Sequence, residues 1–200
     1  CIRDSVNGKA KGIYQLKLDT SNNQLLRLST VPDIVNPSFV TFDPKGEFLY
    51  AVSEIGGGTD TTGYVYAYAL KGEEVQFLNR RISHGMAPCH VVVHPSGKYA
   101  FVANYMGGVA MYPINADGSL EEASDVHYLE GSGPSPRQKA SHPHSVTLDP
   151  DGRFAFVADL GTDKIMIFFI DQENGKLEPA GSPFAQVAPG AGPRHLAFHP

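Results

Sequence analysis

The 200-residue sequence has no tryptophan, two cysteines and only 18% charged residues. Two cysteines, Cys1 and Cys89, cannot make a disulfide framework, so a reducing, cytoplasmic setting is the expected one. Cys1 in first position also leaves a lipid-modified, exported form open. Positive charge is not in excess: 16 Lys and Arg face 21 Asp and Glu, for a net charge of −5. That balance argues against a nucleic-acid partner or an anionic membrane surface. Apolar runs are short, as at Ile165–Ile170, and none approaches the ~20 residues of a membrane helix. Helical periodicity is missing too, because Gly or Pro interrupts every candidate window. The 21 Gly and 15 Pro point to many turns while staying below a disordered composition.

What the sequence does have is a repeat. PSFVTFDPKGEFLYAVSE from Pro37 is matched by PCHVVVHPSGKYAFVANY from Pro88 and PHSVTLDPDGRFAFVADL from Pro143. PRHLAFHP from Pro193 begins a fourth copy. Successive copies start 51, 55 and 50 residues apart. In the first three, a Pro and then a Gly (Gly46, Gly97, Gly152) sit between two β-rich stretches, which is a tight turn joining a hairpin. A third strand follows at 63–70, 108–114 and 164–170. A weaker fourth follows around 75–82, 119–129 and 177–181. Four short strands per ~50 residues describe the blade of a β-propeller. The segments after Gly12 and at Leu25 read as the last two strands of an earlier blade. The expected fold is all-β, a propeller of four-stranded blades, with residues 1–200 forming the N-terminal part of one propeller domain. At ~51 residues per blade, about four blades fit, and a chain cut there would leave sheet faces uncovered.

The repeat also works as a ruler. The strand body after each leading Pro is alike in every copy (VTF, VVV, VTL, LAF). The two residues just after the Pro differ: Ser38 and Phe39, Cys89 and His90, His144 and Ser145, Arg194 and His195. Uniform bodies speak for scaffold, divergent starts for a site at one end of the innermost strands. The second strand returns to that end, placing Glu54, Asn104 and Asp159 near the His and Arg residues. Turn capping is the competing role for Asn104 and Asp159.

These stretches resemble the seven-bladed propeller lactonases, a family spanning propeller-type 6-phosphogluconolactonases and carboxy-cis,cis-muconate lactonising enzymes. The resemblance runs from about Gly12 to Pro200. It implies a lactone hydrolase of carbohydrate metabolism, working on a small anionic sugar lactone such as 6-phosphogluconolactone in the pentose phosphate pathway, without a cofactor or metal. The alternatives are a muconate cycloisomerase and a propeller without catalysis that serves as a binding platform. The family's HSV-type motif falls on His144 and its GPRH motif on Arg194, and these two are the expected catalytic pair. The family's Glu would fall seventeen residues after Pro193, past Pro200. His90 and His195 are expected to line the substrate site. Arg137 and Gln138, in the loop before His144, would add anion contacts, with Glu54 and Asn104 nearby.

Chemically, Arg suits bidentate clamping of phosphate or carboxylate. Imidazole titrates nearest neutrality, so His144 can act as general base on water. Other motifs are weaker. His94 and His199 stand where Asp43 and Asp149 stand in other copies, so they read as turn residues. His84 and His127 read as solvated. His142 and His144 could face one metal if they alternate on a strand, but no ligand set completes a zinc site. There is no G-x-S-x-G elbow around Ser145, and Gly56-Gly57-Gly58 lacks the Lys-Ser/Thr of a phosphate loop. Cys89 reads as small buried filling rather than a nucleophile. Tyr64, Tyr66 and Tyr68 alternate as if packed between blades.

Overall fold

The computed structural model describes residues 11–56 and 62–199. Cys1, Gly57, Gly58 and Pro200 lie outside the described residues. Every regular element described is a strand, and no helix is long and apolar enough to cross a membrane. β1 (Ile13–Asp19) pairs with β2 (Gln24–Val31) in a two-stranded sheet. Three four-stranded antiparallel sheets follow. The first holds β3 (Pro37–Phe42), β4 (Phe48–Ser53), β5 (Tyr64–Lys71) and β6 (Glu74–Ile82). The second holds β7 (Met86–Val93), β8 (Tyr99–Met106), β9 (Gly108–Pro113) and β10 (Asp125–Tyr128). The third holds β11 (Pro143–Leu148), β12 (Phe154–Asp159), β13 (Lys164–Asp171) and β14 (Lys176–Gln186). Strand order follows chain order in each sheet, as in propeller blades.

Period-2 alternation buries both faces of the middle strands. On β5, Val65 and Ala67 join the core shared with β8 and β9, while Tyr66 and Tyr68 face Val31, Ile34 and Leu49. On β8, Ala100 and Val102 serve one inter-blade core, and Phe101 and Ala103 serve the next. The hydrophobic cores thus lie between sheets, which is why the middle strands read as near-continuous apolar runs. The tyrosines pack between blades as their spacing suggests. Apolar side chains stay exposed at both ends of the arc, including Leu18 and Leu25 at one end and Phe184 and Phe198 at the other.

The hairpin turns form as the Pro and Gly pattern requires. Gly46, Gly97 and Gly152 have φ of 71°, 72° and 66°, and each donates its N–H to the carbonyl of residue 43, 94 or 149. The Asp43 carboxylate accepts the amides of Glu47 and Phe48, both at 2.7 Å, and Asp149 accepts that of Phe154 at 2.6 Å. His94 replaces this carboxylate. Its Nδ1 accepts the Ser96 amide (3.0 Å), and its Nε2 donates to the Gly152 carbonyl in the next blade's turn (2.6 Å).

Several expectations change. Only Asp125–Tyr128 of the weak strand near 119–129 forms a strand, with a single bridge between Ile114 and Leu120 ahead of it. The last strand of the third sheet runs to Gln186 rather than stopping at 181. It tolerates Pro179 and Pro183 because its outer edge needs no donors. His84 and His127 are half-buried, not solvated. His84 takes the left-handed conformation (φ 58°) beside Tyr112, and His127 packs on Phe168 while pairing with Asp125 at 3.0 Å. Residues 193–199 form no strand, since no described strand pairs with them. They lie along the third sheet, where the Thr147 hydroxyl donates to the Leu196 carbonyl and Phe198 meets Phe156.

Candidate functional site at the bulged strand ends

The innermost strand of each sheet carries the same irregularity. Pro37 pairs with Ser53, but Phe39 pairs with Val52. Pro88 pairs with Asn104, but His90 with Ala103. Pro143 pairs with Asp159, but Ser145 with Ala158. The residue left over is Ser38, Cys89 or His144, the first after the Pro in each copy. Proline cannot donate to the ladder, and a bulge absorbs the lost register. A bulge also re-aims the side chain it frees, here that of His144.

His144 is 5% exposed. Its Nε2 is 2.6 Å from Nη1 of Arg194, fifty residues away and first after Pro193. Guanidinium can only donate, so Nε2 presents its lone pair to Arg194 and the ring proton belongs on Nδ1. His195 lies edge-on to His144, with ring centroids 5.2 Å apart, and also meets His90 at 5.8 Å. Tyr105 flanks His144 at 6.2 Å, and His142 is stacked on Tyr105 at 4.4 Å. Phe39 covers His90 at 4.2 Å. Four copies of the repeat thus converge: Phe39, His90, His144 with its neighbours, and Arg194 with His195.

The electrostatics favour neutral imidazoles beside a cation. Burial pushes His90 down to about 3, with help from His195 and His144. His195 is lowered as well, by burial and by the charge of Arg194. An arginine among neutral rings suits an anionic ligand.

Supports of the cluster are also visible. The Cys89 thiol is buried against the carbonyls of His144 (3.5 Å) and Pro143 (3.6 Å), underneath the bulge. Asp159 caps the turn before β11, accepting the Ser141 hydroxyl (2.7 Å) and the amides of His142 (2.7 Å) and Gly161 (2.9 Å). Residues 190–192, just before Pro193 and Arg194, are held by Asp163. Its carboxylate accepts the amides of Gly190 (2.6 Å) and Gly192 (2.8 Å) and the Gln138 side-chain amide (2.6 Å). The amides of Gly192 and Gly190, with Gln138, hold the Asp163 carboxyl below the usual range.

His144, Arg194, His90 and His195 are therefore brought together. The remaining candidates have other partners. Gln138 is buried, bonded to Asp163 and to the Leu160 carbonyl, and its oxygen accepts the Ser135 amide, so it holds a loop rather than offering itself to an anion. Asn104 is buried and donates to the Ser83 carbonyl. Arg137 is exposed, with its backbone amide on Ser135. Glu54 is half-buried, and its backbone is clasped by Asn36. His142 precedes β11 and donates from Nδ1 to the Tyr105 carbonyl (2.9 Å), so it does not alternate with His144 on a strand. No group of three or more His, Cys, Asp or Glu among the described residues could hold a metal ion. Asp163 and Tyr105 were not among the sequence candidates. Asp163 does differ between copies, since the residue just before the third strand is Gly107 in the preceding copy.

The family model for Lactonase, 7-bladed beta-propeller, matches residues 3–200. The chain belongs to this propeller lactonase family. A 6-phosphogluconolactonase of Bacillus subtilis (strain 168) is 34% identical over 196 residues, covering 96% of this chain and 54% of its own length. The crystal structure of a Bacteroides fragilis protein superposes with a TM-score of 0.88 at 35% identity, over 97% of this chain and 56% of that one. The periplasmic gluconolactonase of Pseudomonas aeruginosa superposes with a TM-score of 0.85 at 33% identity, over 96% and 55%. The chain spans about half the length of the curated relatives it matches.

Proposed function

We propose that this chain supplies the His–Arg part of a lactone hydrolase site, with 6-phosphogluconolactone as substrate. The observation that carries the reading is the His144–Arg194 pair, 2.6 Å apart among neutral imidazoles. Arg194 donates to the lone pair that a general base must use. An anionic substrate competes for the guanidinium, draws it away, and exposes Nε2 to a water molecule. Nε2 takes a proton from that water as its oxygen bonds to the lactone carbonyl carbon. The C–O bond of the ring then breaks, and the proton passes from imidazolium to the departing ring oxygen, leaving an open hydroxy acid. Arg194 stabilises the oxyanion and the anionic arm. A lactone is a reactive ester, so one base and one clamp can serve. The relatives named as 6-phosphogluconolactonase and gluconolactonase support this reading. It places the protein in carbohydrate metabolism, at the lactone-opening step of the pentose phosphate pathway.

The test is an assay of the natural full-length protein against 6-phosphogluconolactone, glucono-δ-lactone and a muconolactone. Faster opening of the phosphorylated sugar lactone is expected. Turnover of the muconolactone alone would replace the reading with the cycloisomerase, and turnover of none would leave a binding platform.

A further inference from the structure

His90 has a constrained tautomer. Its Nδ1 accepts the backbone amide of Val146, on the innermost strand of the following blade, at 3.4 Å. That bond needs a lone pair on Nδ1, so the ring's single proton sits on Nε2. Among the described residues Nε2 has no hydrogen-bond partner, and it is not among the buried unpaired atoms either, so this N–H keeps access to solvent. Phe39 and His195 both pack against the ring. Protonating Nδ1 would break the bond to Val146 and place a second cation beside Arg194's cluster. The push to about 3 from burial agrees with a ring that stays neutral at any working pH.

A neutral N–H of fixed direction suits an uncharged oxygen. Arg194 already serves an anion, and Nε2 of His144 serves as acceptor, not donor. His195 contacts both His90 and His144, so a ligand with its ester at His144 reaches His90 across the face of His195. In a sugar lactone, what reaches there is a ring hydroxyl. We propose that His90 reads a substrate hydroxyl through Nε2–H and so makes the site selective for a polyhydroxylated lactone over a deoxygenated one. The proposal rests on the reading of His144 and Arg194 as the reacting pair. A site built to bond a hydroxyl discriminates strongly against analogues lacking it, because its own donor is then left unpaired.

The test uses the full-length protein, two lactones and two substitutions. His90→Phe keeps a flat ring and removes both the Nε2–H donor and the acceptor of the Val146 amide, and His90→Gln returns an N–H near the place of Nε2. His90→Phe is expected to lower kcat/KM about 10- to 100-fold more on glucono-δ-lactone than on δ-valerolactone, with His90→Gln recovering most of that difference. Equal loss on both lactones, or no recovery with Gln, overturns the proposal. Nitrogen-15 NMR supplies a readout independent of turnover. The His90 ring should be the Nε2–H tautomer from pH 5 to 8, and its Nε2–H resonance should move with gluconate but not with valerate. An Nδ1–H tautomer, or equal response to both acids, also overturns it. His144→Gln separates the underlying reading: if it hydrolyses both lactones at full rate, the base assignment fails whatever His90 does.

Discussion

The innermost strands have two ends, built to opposite rules. At the turn end, all three copies close with a left-handed glycine donating to residue 43, 94 or 149, and a side chain there gathers the turn's amides. At the other end, all three copies carry the same bulge after the same proline, yet Ser38, Cys89 and His144 occupy it. One end repeats its chemistry, and the other repeats only its backbone. Backbone geometry is thus the inherited part of the site. It frees one side chain per blade at a common place, and the identity of that side chain can change without disturbing the ladder. A propeller can acquire a site in this way without remodelling its blades.

The largest expected effect comes from swapping residues within this common geometry. His144→Ser installs in the third sheet the residue that the first sheet already holds at its bulge. The backbone should accept it, because Ser38 sits in the same irregularity. Lactone hydrolysis by the full-length protein should fall about 10²–10⁴-fold in kcat, the share of a general base, while thermal stability moves little. A large loss of stability with kcat intact would mean that the imidazole is part of the scaffold. The reciprocal change, Ser38→His, should leave kcat where it was, since Arg194 is bonded to the imidazole at the third sheet's bulge.

A smaller effect is expected from the support of Arg194. Removing the carboxylate in Asp163→Ala releases the amides of Gly190 and Gly192 and the side chain of Gln138. Residues 190–192 lead directly to Arg194, so the guanidinium loses its fixed aim. Displacement of about 1 Å at a clamp costs up to about 100-fold. KM for a phosphorylated lactone should rise about 10–100-fold, with a weaker effect on an uncharged lactone. An equal rise for both would show that Asp163 supports the blade and not the clamp.

Asp163 also marks where sequence reasoning stops. The blades, their turns and the convergence of His90, His144, Arg194 and His195 were legible, because each rests on a pattern that recurs and can be compared between copies. Tyr66 and Tyr68 were legible for a similar reason, since alternation on a strand is local. The supports were not. Asp163 reaches partners 25, 27 and 29 residues away in irregular loops, and nothing periodic announces such bonds. Gln138 stood next to Arg137 in a polar loop and read as an anion contact. Only the fold shows it turned inward to Asp163 and the Leu160 carbonyl. Asn104 suffered the opposite ambiguity: its place at the strand end was right, and its bond to the Ser83 carbonyl spends its side-chain amide on the scaffold.

The smallest effect probes the turn end, where sameness is not complete. Gly46 and Gly152 hold the same left-handed conformation, with φ of 71° and 66°. A methyl group on Gly46 meets nothing within 4 Å, whereas one on Gly152 comes within 2.7 Å of His94 Nε2. Gly46→Ala therefore costs only the left-handed conformation of a residue bearing Cβ, about 1–2 kcal/mol. Gly152→Ala carries that cost too, and it also pushes away the imidazole that donates to the Gly152 carbonyl, losing a hydrogen bond between turns worth about 1 kcal/mol. Chemical denaturation of the two variants should rank Gly152→Ala below Gly46→Ala by that margin, with kinetic constants unchanged in both. Equal losses would mean that His94 merely fills the place of Asp43 and Asp149. The predicted gap would show that the turn end, too, has one blade in which a substituted residue has taken on a second task, that of tying neighbouring turns together.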